Sequence, residues 1–152
     1  MNPAPPDLSI VIVNWNVREL LRRCLVSIAS SDGLFVGLDT PGYSTRGWRA
    51  EVIVVDNASA DGSVAMLAQD FPWVQVIANR QNRGFTTANN QGLAVSRGRY
   101  VLFLNPDTEL APDALSLLLR FAEEHPQVGV VGPQLRYGDG SLQSSRRRFP
   151  TL

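Results

Sequence analysis

Short apolar runs alternate with amphipathic segments along nearly the whole 152-residue chain, and this alternation limits the fold more than any other feature. Helices are expected between the runs, from apolar residues at helical spacing or from small residues. Such alternation predicts an α/β fold with a mostly parallel sheet and helices on both faces. The predicted strands cover residues 8–13, 51–55, 74–77, 100–104 and, diluted by glycine, 128–132.

Four other stretches depart from this rhythm. Residues 30–49 are rich in glycine and small polar residues, and they predict a long surface loop, either a plain insertion or the border of a ligand cleft. Residues 133–143 predict a strand and a Gly-Asp-Gly turn. The arginine run 146–148 is typical of a solvated end, although it could also bind phosphate or acidic lipid. The proline-rich residues 1–7 are expected to form a flexible tail before a single domain at 8–152.

Composition and charge exclude several function classes. Fourteen basic residues, all of them arginine, balance fourteen acidic ones, which argues against a general nucleic-acid binder. Without lysine there is neither a P-loop lysine nor Schiff-base chemistry. The single cysteine, Cys24, excludes an internal disulfide, and neither a dinucleotide fingerprint nor a nucleophile elbow occurs. With neither a signal peptide pattern nor a membrane-length apolar run, we expect a cytoplasmic domain, with docking at the inner face of a membrane left open.

Polar side chains gather where the predicted strands end. They are Asn14 and Asn16, then Asp56, Asn57 and Ser59, then Asn82, Arg83 and Gly84, and finally Asn105 and Asp107. The carboxyl ends of parallel strands meet at one edge of a sheet, so these residues predict a polar cleft there. Taken singly, each is also an ordinary turn residue, and Ser59 or Asp61 is expected to cap the helix after the second strand.

The residue types in this cleft suit a nucleotide. Asp56 can accept a hydrogen bond from a base or a ribose, and Arg83 can pair with a phosphate. Gly84 permits close approach of a ligand to the backbone. Asp107 either anchors a divalent cation that bridges a diphosphate or only caps the helix that follows.

Four segments in order carry a resemblance to a known family. They read SIVIVNWN at 9–16, VVDNASADGS at 54–63, NRGFTTANNQG at 82–92 and FLNPDT at 103–108. Together they resemble the family 2 glycosyltransferases with the GT-A fold, and in particular the rhamnosyltransferase-like branch. The resemblance covers the chain from Leu8 to about Pro150.

The resemblance implies an inverting transfer of a sugar from a UDP-, dTDP- or GDP-linked donor to a glycan or lipid-linked acceptor, in the synthesis of cell-envelope polysaccharide. It implies Mg²⁺ or Mn²⁺ at Asp107, in the family's Asp-x-Asp position, where Asn105 replaces the first Asp. It also implies a nucleotide-binding set of Asn14, Asn16, Asp56, Asn57, Asn82, Arg83, Gly84 and Asn105.

One departure from the family concerns the general base. Relatives place this carboxylate in the acceptor-binding half, well after the Asp-x-Asp position, whereas this chain continues from Asp107 only to Leu152. The carboxylates in that stretch are interpreted as helix-end and surface charges, so none is assigned as the base. We therefore expect the donor-binding part of a glycosyltransferase, with the acceptor-binding part mostly absent. A non-catalytic module that binds a nucleotide sugar or a protein partner, and an unrelated doubly wound domain, stay open as alternatives.

Overall fold

The computed structural model describes residues 5–36 and 47–145, and the chain divides into two compact units, Met1–Ser116 and Leu117–Leu152. The elements of the first unit are β1 (Leu8–Asn14), α1 (Arg18–Ala29), β2 (Leu34–Val36), β3 (Trp48–Asp56), α2 (Ser63–Asp70), β4 (Val74–Ala78), α3 (Phe85–Val95) and β5 (Tyr100–Leu104). Helix α4 (Ala114–Glu124) begins in the first unit and ends in the second, which also contains β6 (Leu135–Arg136) and β7 (Leu142–Gln143).

Five strands, all parallel, form the sheet of the first unit. Strand β1 lies between β3 and β5, and the far side of β3 pairs with β2 along its first residues and with β4 along its last. Asn14 is level with Asp56, and Asp56 is level with Ala78. The carboxyl ends of these strands therefore share one edge, and the prediction of an α/β fold with a mostly parallel sheet is confirmed.

The core lies on both faces of β1 and β3, whose apolar runs are almost completely buried. Ile10, Ile12 and Ile53 have no exposed surface, and burial of each such side chain contributes roughly 1.5–3 kcal/mol. Helix α3 packs closely on this sheet at Gly92, where an added Cβ would come within 2.4 Å of Val11 Cγ1. This close approach sets the distance between α3 and the sheet at Gly92.

The opposite, amino-terminal edge of the sheet is fastened by a buried carboxylate. Glu51 is 3% exposed, and its Oε1 accepts hydrogen bonds from Ser9 Oγ and from the backbone N–H of Arg97, both at 2.6 Å. Its Oε2 accepts from the Arg97 guanidinium, from Nη2 at 3.0 Å and from Nε at 3.2 Å. Glu51 thus connects β1, β3 and the turn before β5.

The prediction of a long loop at 30–49 is wrong at both ends. Leu34–Val36 forms β2, and β3 already begins at Trp48, because these two short segments pair in parallel. A strand of three residues shows no periodicity in the sequence, so its pairing partner is needed to reveal it. Residues 37–46 lie outside the described residues.

The predicted strand at 128–132 is also wrong, because this stretch carries no strand. Val130 is 91% exposed, and two glycines in five residues weaken any extended pairing. The predicted turn after it is confirmed, since β6 and β7 pair antiparallel around it and Gly140 has φ +83°. Helix α4 begins at Ala114, and Pro112 lies in the turn before it.

The two ends of the chain are described only in part. Within the predicted tail, the backbone N–H of Asp7 donates to Arg49 O and Asp7 O accepts from the N–H of Tyr100, while residues 1–4 lie outside the described residues. The arginine run 146–148 also lies outside them. Of the helices in the described residues, none has the length and apolar character to cross a membrane.

Candidate functional site

A buried amide–carboxylate pair occupies the carboxyl ends of β1 and β3. Asn14 and Asp56 pair in register, and they are 0% and 1% exposed. Asn14 Nδ2 donates to Asp56 Oδ2 at 2.8 Å and to Ser59 Oγ at 3.1 Å, and Asp56 Oδ1 accepts from the backbone N–H of Ser59 at 2.9 Å. These donors compensate the carboxylate for its loss of water.

The other polar atom of the Asn14 amide has no partner. Asn14 Oδ1 is buried, and no group within residues 5–36 or 47–145 donates a hydrogen bond to it. Exchanging the amide oxygen and nitrogen would place an oxygen against the Asp56 carboxylate, so the orientation follows from the neighbouring acceptor. A buried acceptor without a donor costs roughly 1–3 kcal/mol, and it indicates a position that a ligand N–H or a water completes.

Asn16 shapes the turn beside this pair. It has a left-handed φ of +55°, its backbone N–H donates to Ser59 Oγ at 2.9 Å, and its Oδ1 accepts from the N–H of Ala60 at 2.7 Å. Asn16 therefore joins the turns after β1 and β3 through two hydrogen bonds, one from its backbone N–H and one to its side-chain oxygen. Between Asn14 and Asn16, the Trp15 side chain is 55% exposed.

Asp61 connects the first residues of two helices. Its Oδ2 accepts from the N–H of Arg18, the first residue of α1, at 2.8 Å, and its Oδ1 accepts from the N–H and Oγ of Ser63, the first residue of α2. Partial desolvation acts to raise the pKa of Asp61, but the hydrogen bonds from Ser63 and Arg18 outweigh it and hold this pKa below its ordinary value. The negative charge also suits the positive ends of both helix dipoles.

Asn57 uses its side chain to hold the turn after β4. Its Oδ1 accepts from the backbone N–H of Arg83 at 2.9 Å and from Asn79 Nδ2 at 3.1 Å. Its Nδ2 donates to Asn82 Oδ1 at 2.8 Å and to Gly84 O at 3.3 Å. Both amide hydrogens and both oxygen lone pairs are thus occupied by protein groups, and the side chain is 2% exposed.

The turn that Asn57 holds presents an exposed arginine. Gly84 has φ +81° and ψ 163°, a backbone conformation that L side chains rarely adopt, and α3 begins at the next residue. The guanidinium of Arg83 makes neither an ion pair nor a hydrogen bond with any residue that the structure describes. Asn82 and Gly84 are exposed as well, so this turn is open to a ligand.

Asn105 and Asp107 follow β5 and lie against α1. The Cys24 thiol of α1 donates a weak hydrogen bond to Asn105 O, with a sulfur-to-oxygen distance of 3.8 Å, and the backbone N–H of Leu110 donates to Ser27 Oγ at 3.0 Å. Burial raises the pKa of the Cys24 thiol to about 12, with smaller contributions from the negative charges of Asp107 and Glu109. Such a thiol is un-ionised at neutral pH and behaves as part of the core.

The side chain of Asp107 is exposed, and within the described ranges it makes no hydrogen bond or ion pair. Groups of three or more histidine, cysteine, aspartate or glutamate residues able to hold a metal do not occur among residues 5–36 and 47–145. One free carboxylate fits Mg²⁺ or Mn²⁺ only when phosphate oxygens and waters supply the other ligands, which is a common arrangement at nucleotide sites.

The structure brings the predicted site residues into two hydrogen-bonded groups. The Asn14–Asp56 group and the Asn57 group are themselves joined, because the N–H of Asn57 donates to Asn14 O at 2.8 Å. Asn105 and Asp107 follow the neighbouring strand without a hydrogen bond to either group among those described. Sequence reasoning missed Trp15, Asn79 and Gln91, of which only Trp15 carried a signal, as an aromatic residue between two strand-end asparagines.

The amino-acid sequence is similar to those of several known proteins. The sequence model described as Glycosyl transferase family 2 matches residues 9–151. The N-acetylglucosaminyl-diphospho-decaprenol L-rhamnosyltransferase of Mycobacterium tuberculosis is 32% identical over 156 residues, which cover 95% of this chain and 46% of that protein. The succinoglycan biosynthesis protein ExoO of Rhizobium meliloti is 31% identical over 128 residues, which cover 81% of this chain and 33% of that protein.

Solved structures agree on the fold. TarS of S. aureus, residues 1–349 in complex with UDP, superposes with a TM-score of 0.64 at 23% identity, covering 79% of this chain and 33% of that one. The mannosyltransferase PcManGT of Pyrobaculum calidifontis, in complex with GDP-Man and Mn²⁺, gives 0.60 at 23% identity, covering 78% of this chain and 33% of that one. The predicted GT-A fold is confirmed, and the chain spans less than half the length of these relatives.

Proposed function

This chain belongs to glycosyl transferase family 2, and from that premise we propose that it binds a nucleotide-sugar donor at the carboxyl edge of its sheet. The observation that carries the proposal is the buried Asn14–Asp56 pair, which leaves an amide oxygen unpaired at that edge. The bound sugar would pass to a glycan or lipid-linked acceptor in polysaccharide synthesis. We place the reaction in the cytoplasm, at the inner face of the membrane when the acceptor is lipid-linked.

The acceptor atoms of Asn14 and Asp56 suit the N–H groups of a nucleobase. Uracil and thymine each present one ring N–H, and guanine presents a ring N–H beside an amino group, so all three bases offer donors to this edge. Trp15 adds an exposed indole next to the pair, on which a base can stack. Relatives solved with UDP or GDP-Man support this class of ligand for the fold.

Arg83 and Gly84 suit the charged part of the donor. The guanidinium of Arg83 has no protein partner in the described ranges and can pair with a phosphate in a two-bond arrangement. At Gly84, a Cβ would meet nothing within 4 Å, so the backbone is open to a close approach. Asn16 and Asn82 contribute by shaping the turns on either side, since their side-chain oxygens accept backbone N–H groups.

Asp107 would hold the divalent cation, with Asn105 beside it and donor phosphate oxygens completing the ligand set. When bound, such an ion neutralises the charge that develops on a leaving diphosphate. The exposed, unpaired state of the Asp107 carboxylate supports this role, because no protein hydrogen bond has to break before a cation binds. The carboxylate of Glu109 lies near as well, but it is ion-paired to Arg23 at 3.4 Å.

The second candidate is a module that binds the donor without transferring the sugar. It is favoured by the engagement of two of the carboxylates beyond Asp107, since Glu109 pairs with Arg23 and Asp139 accepts from Ser141. No carboxylate among the described residues is assigned as the base that deprotonates an acceptor. Incubation with a donor sugar and a lipid-diphosphate acceptor separates the two candidates, because any sugar transfer excludes the module.

Calorimetric titration tests donor binding itself. UDP, dTDP and GDP are titrated with and without Mn²⁺, and we expect one of them to bind with an affinity that Mn²⁺ raises. The variant Asp107→Ala loses the effect of the metal, while the matched control Asp32→Ala retains it, because Asp32 is an exposed carboxylate before β2, at the other edge of the sheet. Absence of binding by all three nucleotides to the folded protein would remove the proposal.

A further inference from the structure

We propose that Asn79 and Gln91 are positioning residues, whose paired amides hold Asn57 and through it the turn that presents Arg83 to the nucleotide. The inference rests on the proposed function and concerns two residues to which donor binding itself gives no role. Neither side chain is expected to touch the donor. Their effect on binding would pass entirely through hydrogen bonds.

The first step is the reciprocal pair between the end of β4 and the middle of α3. Asn79 Nδ2 donates to Gln91 Oε1 and Gln91 Nε2 donates to Asn79 Oδ1, both at 2.9 Å. The backbone N–H of Asn79 also donates to Asp56 O at 2.8 Å. These bonds connect the turn to a helix that is itself fixed against the sheet at Gly92.

The second step is the contact from this pair to Asn57. Asn79 Nδ2 donates its remaining hydrogen to Asn57 Oδ1 at 3.1 Å. The acceptor Asn57 Oδ1 sets which way round the Asn79 amide lies, and Gln91 holds that amide in place through two hydrogen bonds. The position of Gln91 needs a side chain that both donates and accepts, and the glutamine amide does both at once.

The third step is the contact from Asn57 to the turn. Asn57 bonds to the Arg83 N–H, to Asn82 Oδ1 and to Gly84 O, whereas Asn82, Arg83 and Gly84 are exposed and have little packing of their own. A turn held by few contacts owes its shape to them. If the pair is broken, Arg83 samples more conformations and binding must pay the cost of ordering it.

A double-mutant cycle on nucleotide affinity tests this chain of contacts. Gln91→Ala and Arg83→Ala are made singly and together, and each protein is titrated with UDP, dTDP and GDP in the presence of Mn²⁺. We expect Gln91→Ala to weaken binding about tenfold, and to weaken it by less than about twofold when Arg83 is already Ala. Asn90→Ala is the matched control, because Asn90 is an exposed amide on the same helix, and it should leave affinity unchanged.

Two further variants separate positioning from loss of folding. Gln91→Glu keeps the acceptor for Asn79 Nδ2 but removes the donor to Asn79 Oδ1. It should therefore weaken nucleotide binding while lowering the melting temperature less than Gln91→Ala does. The exchange Asn79→Gln with Gln91→Asn preserves the combined length of the pair and should recover part of the affinity lost in Gln91→Asn alone. In the ligand-free protein, the Arg83 amide should exchange with solvent faster in Gln91→Ala than in Asn90→Ala.

The outcomes distinguish this inference from the proposed function. A wild-type protein that binds none of the three nucleotides overturns both. A wild-type protein that binds, with effects of Gln91→Ala and Arg83→Ala that add, overturns only the positioning role. Unchanged exchange of the Arg83 amide in Gln91→Ala also overturns it, and coupled effects together with faster exchange support it.

Discussion

Asn14 Nδ2 donates a 2.8 Å hydrogen bond to Asp56 Oδ2 across the carboxyl ends of two neighbouring parallel strands. This bond fixes the carboxylate in place. It also holds the other end of the amide, Asn14 Oδ1, in a buried position where it accepts no hydrogen bond from a described residue. The two residues thereby combine a structural contact with a hydrogen-bonding position that no described protein group fills. The consequences of that arrangement can be measured separately from donor binding.

Replacing Asn14 by Ala removes the donor to a buried carboxylate and also removes the unpaired Oδ1. Because an unsatisfied buried charge costs more than an unsatisfied neutral oxygen, we expect the free energy of unfolding to fall by about 1 kcal/mol. Ser59→Ala removes an uncharged acceptor of hydrogen bonds from Asn14 and Asn16, so it should lower the free energy of unfolding by a similar amount, roughly 1 kcal/mol. Urea denaturation at neutral pH measures both values, with Asn90→Ala as the surface control. An Asn14→Ala protein as stable as the control would show that the Asp56 carboxylate does not need this donor.

Asp61 is expected to make stability depend on acidity. Its pKa is lowered in the folded protein, so its contribution is present above the ordinary carboxylate pKa of about 3.9 and is lost as the pH falls through the folded-state value. The variant Asp61→Asn should be less stable at pH 7 and should lose less stability on acidification. Thermal unfolding between neutral and strongly acidic pH measures this. Parallel pH profiles for the two proteins would contradict the assignment.

The Glu51–Arg97 contact at the amino edge should support the fold without affecting the site. Glu51→Ala leaves the Ser9 hydroxyl without its acceptor and the backbone N–H of Arg97 with only its longer hydrogen bond to Ser9 Oγ, at 3.2 Å, and we expect the free energy of unfolding to fall by about 3 kcal/mol. Arg97→Ala should cost less, because the guanidinium that it removes is already half in contact with water, while Ser9 Oγ and the backbone N–H of residue 97 still donate to the Glu51 carboxylate. Both variants, at temperatures where they are folded, should bind nucleotide as the wild type does. A selective loss of affinity would contradict the separation of the two edges.

Trp15 should report on the base. Its exposed indole is expected to stack on the bound base, and a stacked base contributes about 1–3 kcal/mol to binding. Nucleotide addition should therefore change the tryptophan fluorescence, and this change should be lost in Trp15→Ala while Trp48 and Trp73 remain. If Trp15→Ala binds and responds like the wild type, the indole is not part of the site.

The parallel strands of this fold could be predicted because buried β-branched runs such as 51–55 carry their own signal. The shared edge of their polar ends followed from the handedness and parallel direction of βαβ units. In contrast, β2 is recognisable only through its pairing with residues 48–50 of β3, and 128–132 lacks such a partner among the described residues, so the local sequence pattern was misleading for both.

The side-chain hydrogen bonds within the site could not be predicted from the sequence, for a related reason. The reciprocal contact of Asn79 and Gln91 joins the end of a strand to the middle of a helix. Asparagine and glutamine are common at surface positions of such elements, so their presence does not indicate that they pair. Nor does the sequence reveal that Asn57 has no free hydrogen-bonding group. Side-chain pairing depends on tertiary placement, which periodicity does not encode.

The location of donor binding can be measured most directly by following backbone amide resonances during titration with UDP, dTDP and GDP in the presence of Mg²⁺. The account predicts that binding shifts the amides of Asn57, Arg83 and Gly84 at the carboxyl edge, and leaves those of Arg97 and Gly98 at the amino edge in place. Shifts confined to the amino edge, or no shifts with any of the three nucleotides, would contradict it.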